Sequence, residues 1–176
     1  MPELPDTPRP SQLWKQLPTD RKLQAAEAFW KDKDATVEQA EAIVTIAQRI
    51  KFRARSVLSM PLEKKKKHLG SLAGVSELVA ARLLVAYHLD RHRPMMASFL
   101  DALGIAHEDG VIADEELQPP GRERLQAAVA AITASYPAED VSLYLSTLMW
   151  QDPGTWGELA HVAHLESSKV EGRSSK

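Results

Sequence analysis

A chain of 176 residues, 44% of them hydrophobic and 26% charged, has the composition of a globular protein able to bury a core. It contains no cysteine, which excludes disulfides, thiolate metal ligands and cysteine nucleophiles. The net charge of −2 hides an asymmetry: eleven Lys/Arg face three acids between Arg49 and Arg93, whereas thirteen acids face five bases from Pro94 onward.

The opening "MPELPDTPRP" is acidic and proline-rich and has no apolar stretch of the signal-peptide kind, so residues 1–10 are expected to be disordered and the protein cytoplasmic. A helical domain is expected over 11–166, followed by a disordered tail, "SSKVEGRSSK", over 167–176. No apolar run reaches the roughly 18 residues of a membrane-spanning helix, so no membrane partner is expected.

Between the prolines the segments read as helices. "TVEQAEAIVTIAQRIKFRARSVL" opens on a capping box, Thr36 with Gln39, and carries Ala40, Ile43, Ala47, Ile50, Ala54, Val57 and Leu58 at helical spacing for more than four turns. The alternation in "RIKFRAR" also fits a strand, but the long helical stripe outweighs it. Pro61 is placed to open the next helix. "SELVAARLLVAYHL" has Arg82 as its only charge between Leu78 and Leu89, and a helix apolar nearly all round belongs at the centre of a fold. Further on, Met96, Phe99, Leu100 and Leu103 precede a glycine stop at Gly104. Leu125, Ala128, Val129 and Ile132 form another stripe, and Val141, Tyr144, Leu145 and Leu148 a third. A last capping box pairs Thr155 with Glu158. The expected fold is all-α: a single globular domain of about seven to nine helices around a central apolar helix at about 76–89.

Three local patterns carry functional candidates. Leu69-x-x-Leu72-x-Gly74-Val75-Ser76, followed by Ala80, Leu83 and Leu84, resembles the helix-hairpin-helix motif of DNA-binding and repair proteins. That resemblance implies sequence-independent contact between phosphates and the amides of Gly74, Val75 and Ser76, with Lys64, Lys65, Lys66 and Lys67 adding counter-charge. Ser76 stands where the motif has its second glycine. The alternative is an ordinary corner, with Gly74 ending one helix in the left-handed region and Ser76 capping the next.

His88 and His92 stand four apart, and Glu158, His161 and His164 three apart, spacings that put metal ligands on one helical face. Glu158-x-x-His161 resembles half of the signature of di-iron helix bundles, but the second such pair and the further glutamates are missing. Asp109-Gly110-x-Ile112-x-x-x-Glu116 matches the second half of an EF-hand loop. Its first position falls on Ile105, which has no side-chain oxygen to offer calcium, and a glycine turn with an acidic connector explains the same residues.

No glycine-rich phosphate loop or nucleophile elbow is present, and no catalytic residue or cofactor is assigned. The four tryptophans, Trp14, Trp30, Trp150 and Trp156, stand near helix ends as core edges or interface anchors. The expected function is non-enzymatic binding of another protein or of a second copy, through an exposed apolar patch that includes a tryptophan. Nucleic-acid binding is the alternative, and a histidine-ligated metal the third.

Overall fold

The computed structural model describes residues 7–163, so His164 and the expectations for residues 1–6 and 164–176 lie outside it. Helix makes up 71% of the described residues, with eight helices of seven or more residues among them, and the one pair of strands there is a two-stranded hairpin. Contacts gather the chain into two compact units, which divide between Arg91 and His92.

The first unit holds α1 (Pro10–Gln16), α2 (Thr19–Lys31), α3 (Thr36–Ile50), α4 (Ala54–Leu58), α5 (Leu62–Gly70) and α6 (Glu77–Arg91). Its centre is α6, which lies against α1, α2 and α3. Val79, Ala80, Leu83, Leu84, Ala86, Tyr87 and His88 of this helix are all buried, as its apolar circumference requires. Its lone interior charge, Arg82, reaches Asp32 at the end of α2, with Nε at 2.9 Å and Nη2 at 2.7 Å from one carboxylate oxygen. At its start, Ser11 donates both its backbone N–H and its hydroxyl to Glu77.

Two sequence expectations change here. The long helix beginning at Thr36 is broken: α3 ends at Ile50, Lys51 takes a left-handed conformation (φ 57°), and α4 starts afresh at Ala54. The expected capping box is also absent, because Ala35 occupies the N-cap position and Thr36 is already helical. The Gln39 amide turns backwards and donates to the carbonyls of Phe29 and Asp32 at 2.8 Å, which closes the C-terminal end of α2. Pro61 stands one residue before α5.

The second unit holds α7 (Arg93–Leu103), the hairpin strands β1 (His107–Glu108) and β2 (Val111–Ile112), α8 (Arg122–Ser135), α9 (Ala138–Gln151) and α10 (Pro153–Trp156), with residues 159–163 again helical. The three apolar stripes read from the sequence are buried as expected. Gly104 stops α7 with φ 69°, and the N–H of Ile105 reaches back to the Leu100 carbonyl at 2.9 Å. The cap of α10 is Asp152, whose carboxylate accepts the Thr155 N–H at 3.2 Å; Glu158 lies in the turn beyond, paired with Arg122 at 2.8 Å. The Thr155 side chain and that backbone N–H together hold the Asp152 carboxyl below the usual carboxylate range.

The hairpin is the part the sequence reading missed. Register pairs His107 with Ile112 and Glu108 with Val111, leaving Asp109 (φ 50°) and Gly110 (φ 87°) as a two-residue turn with both φ positive. Asp-Gly is the favoured pair for that turn. Gly110 also sits against α7: a Cβ there would come within 2.8 Å of the Met96 Cβ and 3.0 Å of the Arg93 carbonyl oxygen. Gly110→Ala therefore combines an unfavourable φ with a backbone clash, and the expected loss is about 2–4 kcal/mol. Chemical denaturation of the variant checks this; a loss under about 0.5 kcal/mol, within the range of surface changes, would show that the hairpin is not seated as described.

Candidate functional site

The outer face of α3 is built from residues at helical spacing that a core helix does not need. Ala42, Ile46 and Ala47 are buried, whereas Val37, Ala40 and Val44 are exposed, with Val37 and Val44 on the side opposite Ile46. Val37 and Val44 lie seven residues apart, almost two full turns, and are 68% and 47% exposed. A helix with apolar rows on opposite faces buries one of them and leaves the other to solvent. The stripe read from the sequence ran between these rows: Ala40 is exposed, Ile43 and Ile50 are half-buried and Ala47 is buried.

At its C-terminal end α3 closes with the Phe52 N–H donating to the Ala47 carbonyl at 3.0 Å, the six-residue loop of a Schellman motif. Glycine usually fills the left-handed position that Lys51 takes here. The turn leaves Phe52 56% exposed, and α4 then buries Val57 but leaves Leu58 59% exposed. A left-handed non-glycine residue costs about 1–2 kcal/mol, and glycine returns part of that as chain entropy. Lys51→Gly is accordingly expected to stabilise the protein by roughly 0.5 kcal/mol, read as a higher denaturation midpoint. A lower midpoint would contradict the strain.

Basic residues surround this corner in the sequence. Between Arg49 and Ser71 eight Lys/Arg stand against one acid, Glu63. Part of that charge is used internally. Arg49 donates to the Ser71 carbonyl at 2.6 Å, and the Lys65 ammonium lies 5.0 Å over the Trp30 ring. Lys66 bridges Glu63 at 3.1 Å and Glu27 at 3.2 Å, and those bonds raise its ammonium above the ordinary lysine value. Glu27, held by Lys31 and then by Lys66, is correspondingly lowered. Lys51, Arg53, Arg55, Lys64 and Lys67 are exposed.

The Gly74 segment has the geometry of a corner. Helix α5 ends at Gly70, capped by Ser71 in the right-handed region. Gly74 is not among the positive-φ glycines of the described residues, so it ends no helix in the left-handed region. A Cβ on it would meet the Lys15 Cε at an ordinary 3.4 Å. Ser76 caps α6, its hydroxyl accepting the Val79 N–H at 3.2 Å. Both α5 and α6 pack on α2, whereas little joins one to the other.

The histidines are dispersed. His88 is buried in α6, with its ring tilted against Tyr87 at 5.8 Å. His92 stands beyond the end of that helix, as the N-cap of α7, so the spacing of four no longer sets the two on one helical face. Its Nε2 lies 3.6 Å from Asp140. Glu158 pairs with Arg122, and His161 is exposed. Among the described residues no group of three or more His, Asp or Glu is placed to hold a metal ion. In the EF-hand-like stretch, Asp109 turns its carboxylate to Arg93 at 3.6 Å. His107 accepts the Gly110 N–H on Nδ1, which leaves Nε2 as the protonated nitrogen facing Asp101 at 2.7 Å.

Trp14 and Trp156 are buried, Trp30 is half-covered and Trp150 stands singly at 38% exposed. Phe52, at 56%, is more exposed than any of them. Its signal was present in "KFRAR", an aromatic among alternating bases, and Val37 with Val44 gave another in their seven-residue spacing. No helix among the described residues is long and apolar enough to cross a membrane. No protein-family model matches the chain, and neither the curated proteins nor the solved structures include a match.

Proposed function

We propose that this chain is a non-enzymatic helical binding protein that contacts another protein through the outer face of α3 and the corner into α4. One observation carries the reading: of the seven large apolar side chains exposed among the described residues, Val37, Val44, Phe52 and Leu58 fall within this one stretch. Singly exposed apolar residues are ordinary; a row of them at helical spacing with an aromatic at its end marks a contact surface. The test is a photo-crosslinking amino acid placed at Val44 or Phe52 in cells, with Leu78 and Val111 as exposed controls. Discrete protein adducts are expected at the first two positions. Adducts only at the controls, or at none of the four, would reject the surface.

Binding of nucleic acid is the second reading, favoured by the exposed bases Lys51, Arg53, Arg55, Lys64 and Lys67. It ranks lower because Lys65 and Lys66 face α2 and because aliphatic Val37 and Val44 offer nothing to a phosphate. Saturable, salt-sensitive binding of duplex DNA, lost on replacing Lys64 to Lys67 by Ala, would reverse the order.

A further inference from the structure

We propose that the partner of this surface is a second copy of the chain, bound with its α3 antiparallel and with Val44 of one copy against Val44 of the other. The inference rests on the reading of α3 as a contact surface and goes beyond it by assigning the occupant.

Exposed apolar positions run from Val37 through Ala40 and Val44 to Phe52 just beyond the end of α3, which puts Val44 near the middle of the stretch. Charge is distributed unevenly along it. Glu38 and Glu41 lie in the first half of α3, whereas Lys51, Arg53 and Arg55 follow its end with no acid among them. A row that is apolar at its centre and opposite in charge at its two ends is complementary to its own reversal. Setting a second copy parallel would place acids beside acids and bases beside bases.

The antiparallel arrangement is a two-fold, isologous contact, in which whatever residue i meets on residue j is repeated as j on i. It brings the Val37 and Glu38 end of each α3 to the Lys51, Phe52 and Arg53 corner of the other. Each exposed Phe52 then gains an aliphatic neighbour, and the two Val44 side chains close the middle. A nucleic acid would leave both valines and both glutamates without complementary groups. An unrelated acidic protein could meet the bases, but it would not explain why the acids stand at the opposite end of the same row.

The absence of cysteine makes the geometry directly readable, since any introduced thiol is the only one. Val44→Cys, Val37→Cys and Leu78→Cys are prepared as full-length chains; all three positions are exposed, so the substitutions leave the core untouched. In the proposed dimer the two residues 44 face each other across the axis. The two residues 37 lie about 21 Å apart along it at 1.5 Å per residue, far beyond disulfide reach. Under mild oxidation Val44→Cys is expected to shift to a covalent dimer on a non-reducing gel. Val37→Cys should stay at the low background set by Leu78→Cys, and an equal mixture of Val37→Cys with Phe52→Cys should yield the mixed dimer.

Dimerisation of Val37→Cys as efficient as that of Val44→Cys would overturn the antiparallel arrangement. No excess of Val44→Cys dimer over the Leu78→Cys background would overturn the second copy as occupant. Photo-adducts at Val44 with a different protein, together with that second result, would keep α3 as a contact surface while removing self-pairing. Absence of adducts as well would remove both.

Discussion

Leu83→Asp is expected to abolish cooperative folding of the unit that contains α6. Leu83 is fully buried in a helix that lies against α1, α2 and α3. A carboxylate placed there has no cation at hand, because the helix's one interior charge, Arg82, is committed to Asp32. Burying an unpaired charge costs several kcal/mol, a large part of the roughly 5–15 kcal/mol that holds a domain together. Leu83→Ala separates charge from volume: its expected cost is about 2–5 kcal/mol, enough to lower the melting temperature of a protein that still folds. Circular dichroism and thermal melting distinguish the two. An Asp variant that melts cooperatively with wild-type helix content would remove α6 from the centre of its unit.

Phe99→Ala should produce the largest loss in the second unit. Its ring is fully buried, edge-on to Tyr144 at 5.7 Å and 88°, and tilted against Trp156 at 5.9 Å. Truncation of a buried phenylalanine costs about 3–5 kcal/mol, of which about 0.5–1.5 kcal/mol belongs to aromatic pairing. A second readout is chemical. Burial pushes the Tyr144 phenol well above the ordinary tyrosine value. A phenol raised in this way supports the folded state fully below the unfolded tyrosine value, and that support is lost as pH rises through it towards the folded value. Opening the space left by Phe99 should bring the Tyr144 titration down in pH and weaken this alkaline sensitivity. An unchanged ultraviolet titration of the folded variant would mean that Phe99 does not shield the phenol.

The helical class was legible because most of the packing is local in period. Leu125 to Ile132 and Val141 to Leu148 repeat every three to four residues, and each stripe lies in the core of its helix. The central place of "SELVAARLLVAYHL" was legible because Arg82 is its only charge between Leu78 and Leu89, which leaves a helix apolar nearly all round. The break at Lys51 was not legible, because a lysine in the left-handed region carries no propensity signal, and the stripe continues through it in sequence while the backbone turns. Thr36 with Gln39 misled because tertiary contact with Phe29 and Asp32 outcompeted the local capping bond. Asp109-Gly110 was read as a glycine turn, but not as the hairpin that two positive φ values in succession specify.

The candidate surface was legible only in part. Expecting an exposed apolar patch was reasonable from a chain lacking catalytic motifs, yet its location depends on which face of α3 meets the core. Val37 and Val44 look like core residues until Ala42, Ile46 and Ala47 are seen to fill that role. Ile46, flanked by two alanines, is the one large side chain on the inner face, and the two valines are left outside. Likewise, the sequence could not show which of Lys64 to Lys67 are spent inside the unit, because Glu27 and Trp30 approach them only in the fold.

The measurement that bears most directly on α3 as a contact face is the solution mass of tag-free protein over a concentration series, for wild type and Val44→Asp side by side. Val44 is half exposed, so the aspartate leaves the fold intact while placing two like charges at the proposed axis. The wild-type mass should climb from 19.5 kDa towards twice that value as concentration rises, while Val44→Asp stays at 19.5 kDa with unchanged helix content. A wild type that remains at 19.5 kDa throughout, or a Val44→Asp variant that associates as readily, would contradict the pairing of two copies through α3.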